Sequence, residues 1–325
     1  VKTIADLQTL YRPIAAPLEA VKKNLNRLWQ DALALVGAEY AGLSMPTGKM
    51  LRPALCLLSA GAIGAPNLPS FVPMATAFEA LHIASLTHDD VIDHAFLRRG
   101  TASLNALWNN HAAILAGDYL VARAVEILAT YGSCGLIADA IRSVRRMAEG
   151  ELYFFGKKSH EVTEADCVML AQQKTAALFA EAVSAPTHVH GAQYQPCLHA
   201  FGMALGTAFQ IMDDLLDLTQ PSEQIGKPSC GDLVEGKRTV PILYLYEKLD
   251  DHERQRLEHF RTEGMSEEDR QWVRENLEAH NVITRTLEKA HSFIRQAKEH
   301  LSLLSDSSYR ESMEGIAEFI VVRTV

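Results

Sequence analysis

Apolar residues recur at three- and four-residue spacing along almost the whole chain, and alternating runs of β-branched residues are scarce. That pattern predicts helices nearly throughout. Four stretches carry it most fully: AFEALHIASLTHDDVIDH (77–94), HAAILAGDYLVARAVEILATYG (111–132), LIADAIRSVRRMAEGELYFFG (136–156) and AFGMALGTAFQIMDDLLDL (200–218). Several are apolar on nearly every face, which places them inside a bundle. Prolines fall between the expected helices, at Pro46, Pro66, Pro69, Pro73, Pro186, Pro196, Pro221 and Pro228, and none interrupts residues 74–185. From about Leu249 to Leu304 charged residues dominate, as outer helices with one solvated face require. No low-complexity linker or short repeat divides the chain, so one all-α domain over residues 1–325 is expected.

Composition narrows the function classes. No apolar run reaches the roughly 18–20 residues of a membrane span; the longest, Pro53 to Ala65, is broken by Ser59 and glycines. Lys2 and Asp6 precede an amphipathic stretch, which is not a signal peptide; the chain opens on Val1, which leaves room for a segment upstream. A formal charge of −9 argues against a nucleic acid or an anionic membrane held by bulk charge. A polyanionic ligand stays open if cations are concentrated locally. The five cysteines are dispersed with no CxxC pair, which fits reduced thiols in the cytoplasm better than disulfides or zinc.

One pattern occurs twice. DDVID at 89–93 is answered by DDLLD at 213–217, each late in an apolar helix. Residues i and i+4 share a helix face, so Asp89 projects with Asp93 and Asp213 with Asp217. At ~5–6 Å and an effective dielectric of about 20, two carboxylates repel by about 3 kcal/mol. A single cluster would read equally well as a solvated helix end. Two clusters, each approached by apolar helix, point instead to bound cations, and hard oxygen donors without nearby thiols point to Mg²⁺.

Cationic side chains accompany them. TGKMLRP sets Lys49 and Arg52 just ahead of Pro53, which suits a helix N-terminus and an anion site. LRRG supplies Arg98 and Arg99, suited to bidentate phosphate contact. QQKTAALF puts Lys174 and Thr175 in an otherwise apolar helix, where an unpaired lysine would be costly, and GKPSCGDLVEGKRTVP adds Lys227 and Lys237 on a Gly- and Pro-rich loop. Singly each reads as a surface or snorkelling base; with the two aspartate clusters they describe a cavity for two diphosphates.

These stretches, with GELYFF and FQIMDDLLD, stand in the order and spacing of the trans-isoprenyl diphosphate synthases (polyprenyl synthetases), which the chain resembles over about residues 46–244. The ending AEFIVVRTV also looks like that family's last helix. The resemblance implies an isoprenoid-synthase-type helical bundle around a deep central cavity, a homodimer, and head-to-tail joining of isopentenyl diphosphate to an allylic diphosphate. It also implies roles by position. Asp89, Asp93 and Asp213 would be direct Mg²⁺ ligands, supported by Asp90, Asp214 and Asp217. Arg98, Lys174, Thr175, Gln210, Lys227 and Lys237 would hold the allylic diphosphate, with Phe209 beside them. Lys49, Arg52, His82 and Arg99 would hold isopentenyl diphosphate. The departures are Thr47, Met50, Phe154 and Cys230, which replace a usual Gly, a frequent Arg, the Gln of GExxQ and a usual Gly.

A growing product would run from the first cluster along the preceding helix, each turn about 5.4 Å deeper. Ala84 and Ser85, one turn before Asp89, are small, where family members with short products carry aromatics; Leu81 and then Phe78 come next, Phe78 as a partial floor or ordinary core. The expectation is a product longer than C20, in the C25–C45 range, which can partition to membrane. Ala84→Phe is expected to shorten it. The alternatives are a synthase of geranylgeranyl or farnesyl diphosphate, an ionising terpene cyclase, and a non-catalytic prenyl-diphosphate-binding subunit. DDLLD, Lys49, Arg52, His82 and Arg99 speak against the cyclase, and two intact clusters against the binding subunit.

Overall fold

The expected helices form, and most begin and end for a local chemical reason. The computed structural model describes residues 6–37, 45, 48–98, 101–158, 161–221 and 229–322. The first half holds α1 (Leu7–Leu10), α2 (Ala15–Val36), α3 (Leu51–Ala62), α4 (Val72–Ile92), α5 (Leu104–Leu107), α6 (Asn110–Ala129) and α7 (Cys134–Phe155). Next come α8 (Glu164–Leu170), a π-helical turn (Ala171–Ala176), α9 (Ala177–Ser184) and α10 (Gln195–Thr219). The rest comprises α11 (Gly231–Val234), α12 (Val240–Tyr246), α13 (Asp251–Glu263), α14 (Glu267–Ala279), α15 (Val282–Leu301) and α16 (Ser308–Val322). Extended structure among the described residues is a two-residue antiparallel hairpin, Leu97 opposite Ala102 and Arg98 opposite Thr101.

Asn109 and Ser133 cap α6 and α7 by accepting from backbone amides, and Thr163, Asp250 and Ser266 form capping boxes at α8, α13 and α14. Pro73, Pro196 and Pro241 fall in first turns, where their missing N–H costs nothing. The charged region beyond Leu249 forms outer helices, with Leu257 and Phe260 of α13 and Val273 and Leu277 of α14 turned inward.

Two nearly all-apolar helices, α4 and α10, carry the aspartate clusters. α4 packs on α2, α3 and α6, whereas α10 packs on α9, the π turn, α15 and α16. Phe78, Phe179 and Phe201 are among the largest fully buried side chains. The α10 contact is close because it is glycine against alanine. A Cβ on Gly202 would stand 2.5 Å from Ala180 Cα, and one on Gly206 would stand 2.5 Å from Ala176 Cα. The pairs are spaced i, i+4 on both sides, so they form one continuous seam. No described helix is long and apolar enough to cross a membrane.

Candidate active site

α4 ends at the first cluster. The amide of His94 donates to Val91 O at 3.4 Å and that of Ala95 to Asp90 O at 2.9 Å, the paired closure of a Schellman motif. His94 takes the left-handed position, φ 50°, where glycine is common. Asn105 Nδ2 donates to the carbonyls of Asp90 (3.2 Å) and Ala95 (3.0 Å), and Ser103 Oγ donates to Ala95 O at 2.6 Å. The end of the helix is thereby tied down, with Asp89 and Asp93 half-buried and Asp90 buried.

The second cluster lies on the glycine seam of α10. Four residues beyond Gly206, Gln210 accepts from the Thr175 hydroxyl at 2.5 Å and donates to Asp214 Oδ1 at 2.7 Å. Burial raises the Asp214 carboxyl well above its ordinary range. The neighbouring carboxylates, Asp232 foremost and then Asp213 and Asp217, push the same way against the Gln210 hydrogen bond. Asp217 is buried and receives the chain as it returns: its Oδ2 accepts from Asp232 N–H at 3.2 Å and its carbonyl from Cys230 N–H at 2.8 Å. Cys230 has φ 60°, which accounts for the glycine usual at that position. Asp213 is exposed.

Two lysines from distant elements reach the first cluster. Lys174, on the π turn, lies 3.8 Å from Asp89 and pairs with Glu151 of α7. Lys237, beyond α11, lies 3.3 Å from Asp93 and pairs with Glu235. Burial draws both lysines' pKa values down, but the flanking carboxylates more than offset it and both end above the ordinary lysine value. Sequence reasoning misses Glu151 and Glu235. It finds Lys174 and Lys237, but their aspartate partners stand too far along the chain for spacing to reveal them. Arg238, next to Lys237, turns away: it is buried over the Tyr246 ring, 3.5 Å from centroid, and pairs with Glu258 at 2.7 Å.

The remaining predicted anion-binding residues are spread more widely. α3 starts at Leu51, two residues ahead of Pro53, so Arg52 sits within its first turn. Arg52 is buried with its guanidinium 4.3 Å from the centroid of Phe179, whose ring lies 5.3 Å from that of Phe209. Lys49 is exposed, 6.0 Å from the Phe319 ring, and its carbonyl accepts from Tyr11 Oη at 2.7 Å. His82 is half-buried on α4. Arg98 is described by its backbone alone, and Thr47, Arg99 and Lys227 lie outside the described residues.

The proposed product wall divides by face. Ser85 is half-buried one turn before Asp89, and its Oγ donates to His82 O at 2.8 Å. Ala84 is buried on the stripe of His88, whose Nε2 meets Ile114 O of α6 at 3.1 Å. Leu81 and Phe78 are buried deeper along α4. Phe154 is half-buried on the core, its ring edge-on to Tyr153.

Among the described residues no three His, Cys, Asp or Glu side chains converge closely enough to chelate a metal. Lysine ammonium groups instead stand as cations beside Asp89 and Asp93. An all-carboxylate donor set at Asp89 and Asp93 that already attracts cations fits a hard divalent ion.

Residues 36–277 match the family model described as Polyprenyl synthetase, well over half of the 325 residues. An all-trans-nonaprenyl-diphosphate synthase (geranyl-diphosphate specific) of Rhodobacter capsulatus is 31% identical over 318 residues, covering 97% of this chain and 98% of that protein. A short chain isoprenyl diphosphate synthase of Methanothermobacter thermautotrophicus is 34% identical over 316 residues and covers 94% of both. A solved polyprenyl synthase from Caulobacter crescentus CB15, complexed with calcium and isoprenyl diphosphate, is similar over 100% of both chains, with 31% identity and a TM-score of 0.89. With two helices that each carry an aspartate cluster, the first of them held by Lys174 and Lys237, and its whole length shared with such relatives, this chain belongs to the polyprenyl synthetase family.

Proposed function

We propose that this protein is a trans-prenyltransferase that joins isopentenyl diphosphate head to tail to an allylic diphosphate, giving an all-trans polyprenyl diphosphate longer than C20. The observation that carries the reading is the bridging of the first aspartate cluster by Lys174 and Lys237, which brings anionic and cationic groups together where a metal–diphosphate complex would need both. Mg²⁺ held by Asp89, Asp93 and Asp213 would neutralise the allylic diphosphate and assist its departure. Lys174 and Lys237 donate to the oxygens that gain charge as the C–O bond breaks. The Thr175–Gln210–Asp214 chain fixes the Gln210 amide beside them. Lys49, Arg52 and His82 take the diphosphate of isopentenyl diphosphate, and its alkene electron pair forms the new C–C bond. The proton lost from that carbon skeleton passes to the released diphosphate, so no protein nucleophile is consumed. Arg98, Arg99 and Lys227 are assigned to the same two anions by their positions in the family's motifs.

Ser85, Leu81 and Phe78 set the product's length from the α4 side, with Ala84 on the neighbouring, buried stripe. Free thiols at Cys56, Cys134, Cys167, Cys197 and Cys230 fit a reducing, cytoplasmic setting. Two copies pair through the face of α5, α6 and α7, where Leu107, Ile114, Leu115 and Ile141 are exposed.

The test is incubation of the purified protein with Mg²⁺, labelled isopentenyl diphosphate and geranyl, farnesyl or geranylgeranyl diphosphate, with the products then sized. All-trans chains longer than C20 are expected. No incorporation from any primer would overturn the synthase reading, and cyclic hydrocarbon without incorporation would favour an ionising cyclase.

A further inference from the structure

Each bridging lysine has two carboxylate partners of different kinds. Lys237 lies between Asp93 of the metal-facing cluster and Glu235 two residues away; Lys174 lies between Asp89 and Glu151. The second carboxylate in each case comes from another element, α7 for Glu151 and the turn after α11 for Glu235. We propose that Glu235 and Glu151 are positioning residues that act through these lysines. In the substrate-free protein the ammonium groups hold the places of cations at Asp93 and Asp89, and the glutamates receive them when metal and diphosphate arrive. The inference rests on the prenyltransferase reading, which makes Asp89 and Asp93 metal ligands.

The argument is one of competition. A divalent ion can take Asp93 only if Lys237 leaves it. Lys237 and Asp93 are 31% and 28% exposed, so the pair is partly withdrawn from water. An ammonium that gives up its only anion at such a depth loses charge pairing that water does not fully restore. Glu235 removes that difficulty, because Lys237 can swing off Asp93 and remain paired. It then stands beside the entering diphosphate, whose oxygens replace Asp93 as its second partner. The same logic holds for Lys174 between Asp89 and Glu151. Glu235 thus lowers the cost of admitting the metal without touching it, and diphosphate should relieve the protein of its dependence on Glu235.

The test uses Mn²⁺ as the probe, with free ion measured by electron paramagnetic resonance, on the full chain as wild type, Glu235→Gln, Lys237→Gln and the double variant. Without diphosphate, Glu235→Gln should weaken Mn²⁺ binding about 3- to 10-fold, the scale of a partly buried ion pair. In the Lys237→Gln background the same substitution should change binding by less than about twofold, the non-additivity expected of residues that act as a pair. Glu235→Asp, which keeps the charge, should recover most of the affinity. With inorganic diphosphate added, the gap between wild type and Glu235→Gln should narrow. An additive cycle would overturn the proposal, because Glu235 would then attract Mn²⁺ as a charge in its own right. A gap that diphosphate leaves unchanged would overturn it too. Circular dichroism melting of each variant separates these outcomes from misfolding, and a variant that fails to melt cooperatively is replaced by Glu151→Gln in a cycle with Lys174→Gln. Isopentenyl incorporation by the wild type is run in parallel. Its absence would remove the prenyltransferase reading, whereas an additive cycle in an active protein would remove this inference alone.

Discussion

Ala84 and Ser85 are neighbours in sequence but point about 100° apart around α4. Ser85 shares its stripe with Asp89 and retains some exposure, while Ala84 is buried on the stripe that carries His88 to α6. The two small residues that sequence treats alike therefore have unequal standing as a product wall. Ser85→Phe is expected to shorten the product by one or more isoprene units with the melting temperature little changed. Ala84→Phe is expected to act mainly on stability, costing about 1–3 kcal/mol as overpacking against α6. Product sizing and thermal melts of the two variants check the difference; equal shortening by both would place the wall across both faces. The distinction is invisible in the sequence because an i, i+4 pattern identifies a stripe but not the helix that covers it. The aspartates are legible for the opposite reason: the i, i+4 carboxylate repulsion carries its meaning within one turn.

At the scale of elements, periodicity locates α4, α6, α7 and α10 well, because each keeps its apolar spacing over five turns or more and no proline interrupts its interior, those of α4 and α10 standing in the first turn. Three things escape it. The π turn at Ala171–Ala176 carries residues that would equally suit an α-helix. The lysine bridges join α4 to distant elements; Lys237 and Asp93 are 144 residues apart. The glycine seam needs both helices to be seen: Gly202 and Gly206 face Ala180 and Ala176, and the next residue on that stripe is Gln210. The seam sets how near α10 comes to the π turn, and so whether Thr175 reaches Gln210 at all. Gly206→Ala should cost about 1–3 kcal/mol, since its Cβ would meet backbone that cannot step aside. It should also raise KM for the allylic substrate as the Thr175–Gln210 hydrogen bond opens. Thermal melting with steady-state kinetics checks both, and a stable variant with unchanged KM would show that the seam does not position the site.

For the whole molecule, a formal charge of −9 and a diphosphate-binding site are reconciled by placement. Cations are gathered at the site, while carboxylates crowd outer helices such as α13 and α14, where Asp250, Asp251, Glu253, Glu267, Glu268 and Asp269 sit at helix starts. The exposed apolar residues are distributed unevenly as well. α5 and α7 both pack on α6, and exposed apolar residues stand on all three: Leu107 on α5, Ile114 and Leu115 on α6, and Ile141 on α7. If that face joins two copies, Leu115→Glu should halve the mass found by sedimentation equilibrium at micromolar concentration while leaving the helical circular dichroism intact. An unchanged mass would move the pairing surface elsewhere on the molecule.

The π turn has a consequence in terms of chain length rather than chemistry. A turn of this kind holds one residue more than the α-helical turn it replaces. Deleting Gln172 or Gln173 would retain Lys174, Thr175 and both aspartate clusters and convert α8 and α9 into one unbroken α-helix. The two sides of the cut would then be rotated by about 100° relative to each other. If Thr175 and the seam stay fixed on α10, α8 must turn away from α7 and α12; if α8 stays, Lys174 loses Asp89. A single surplus residue thus lets two helices keep separate appointments, and its loss would be felt as a misalignment of parts that are each individually intact.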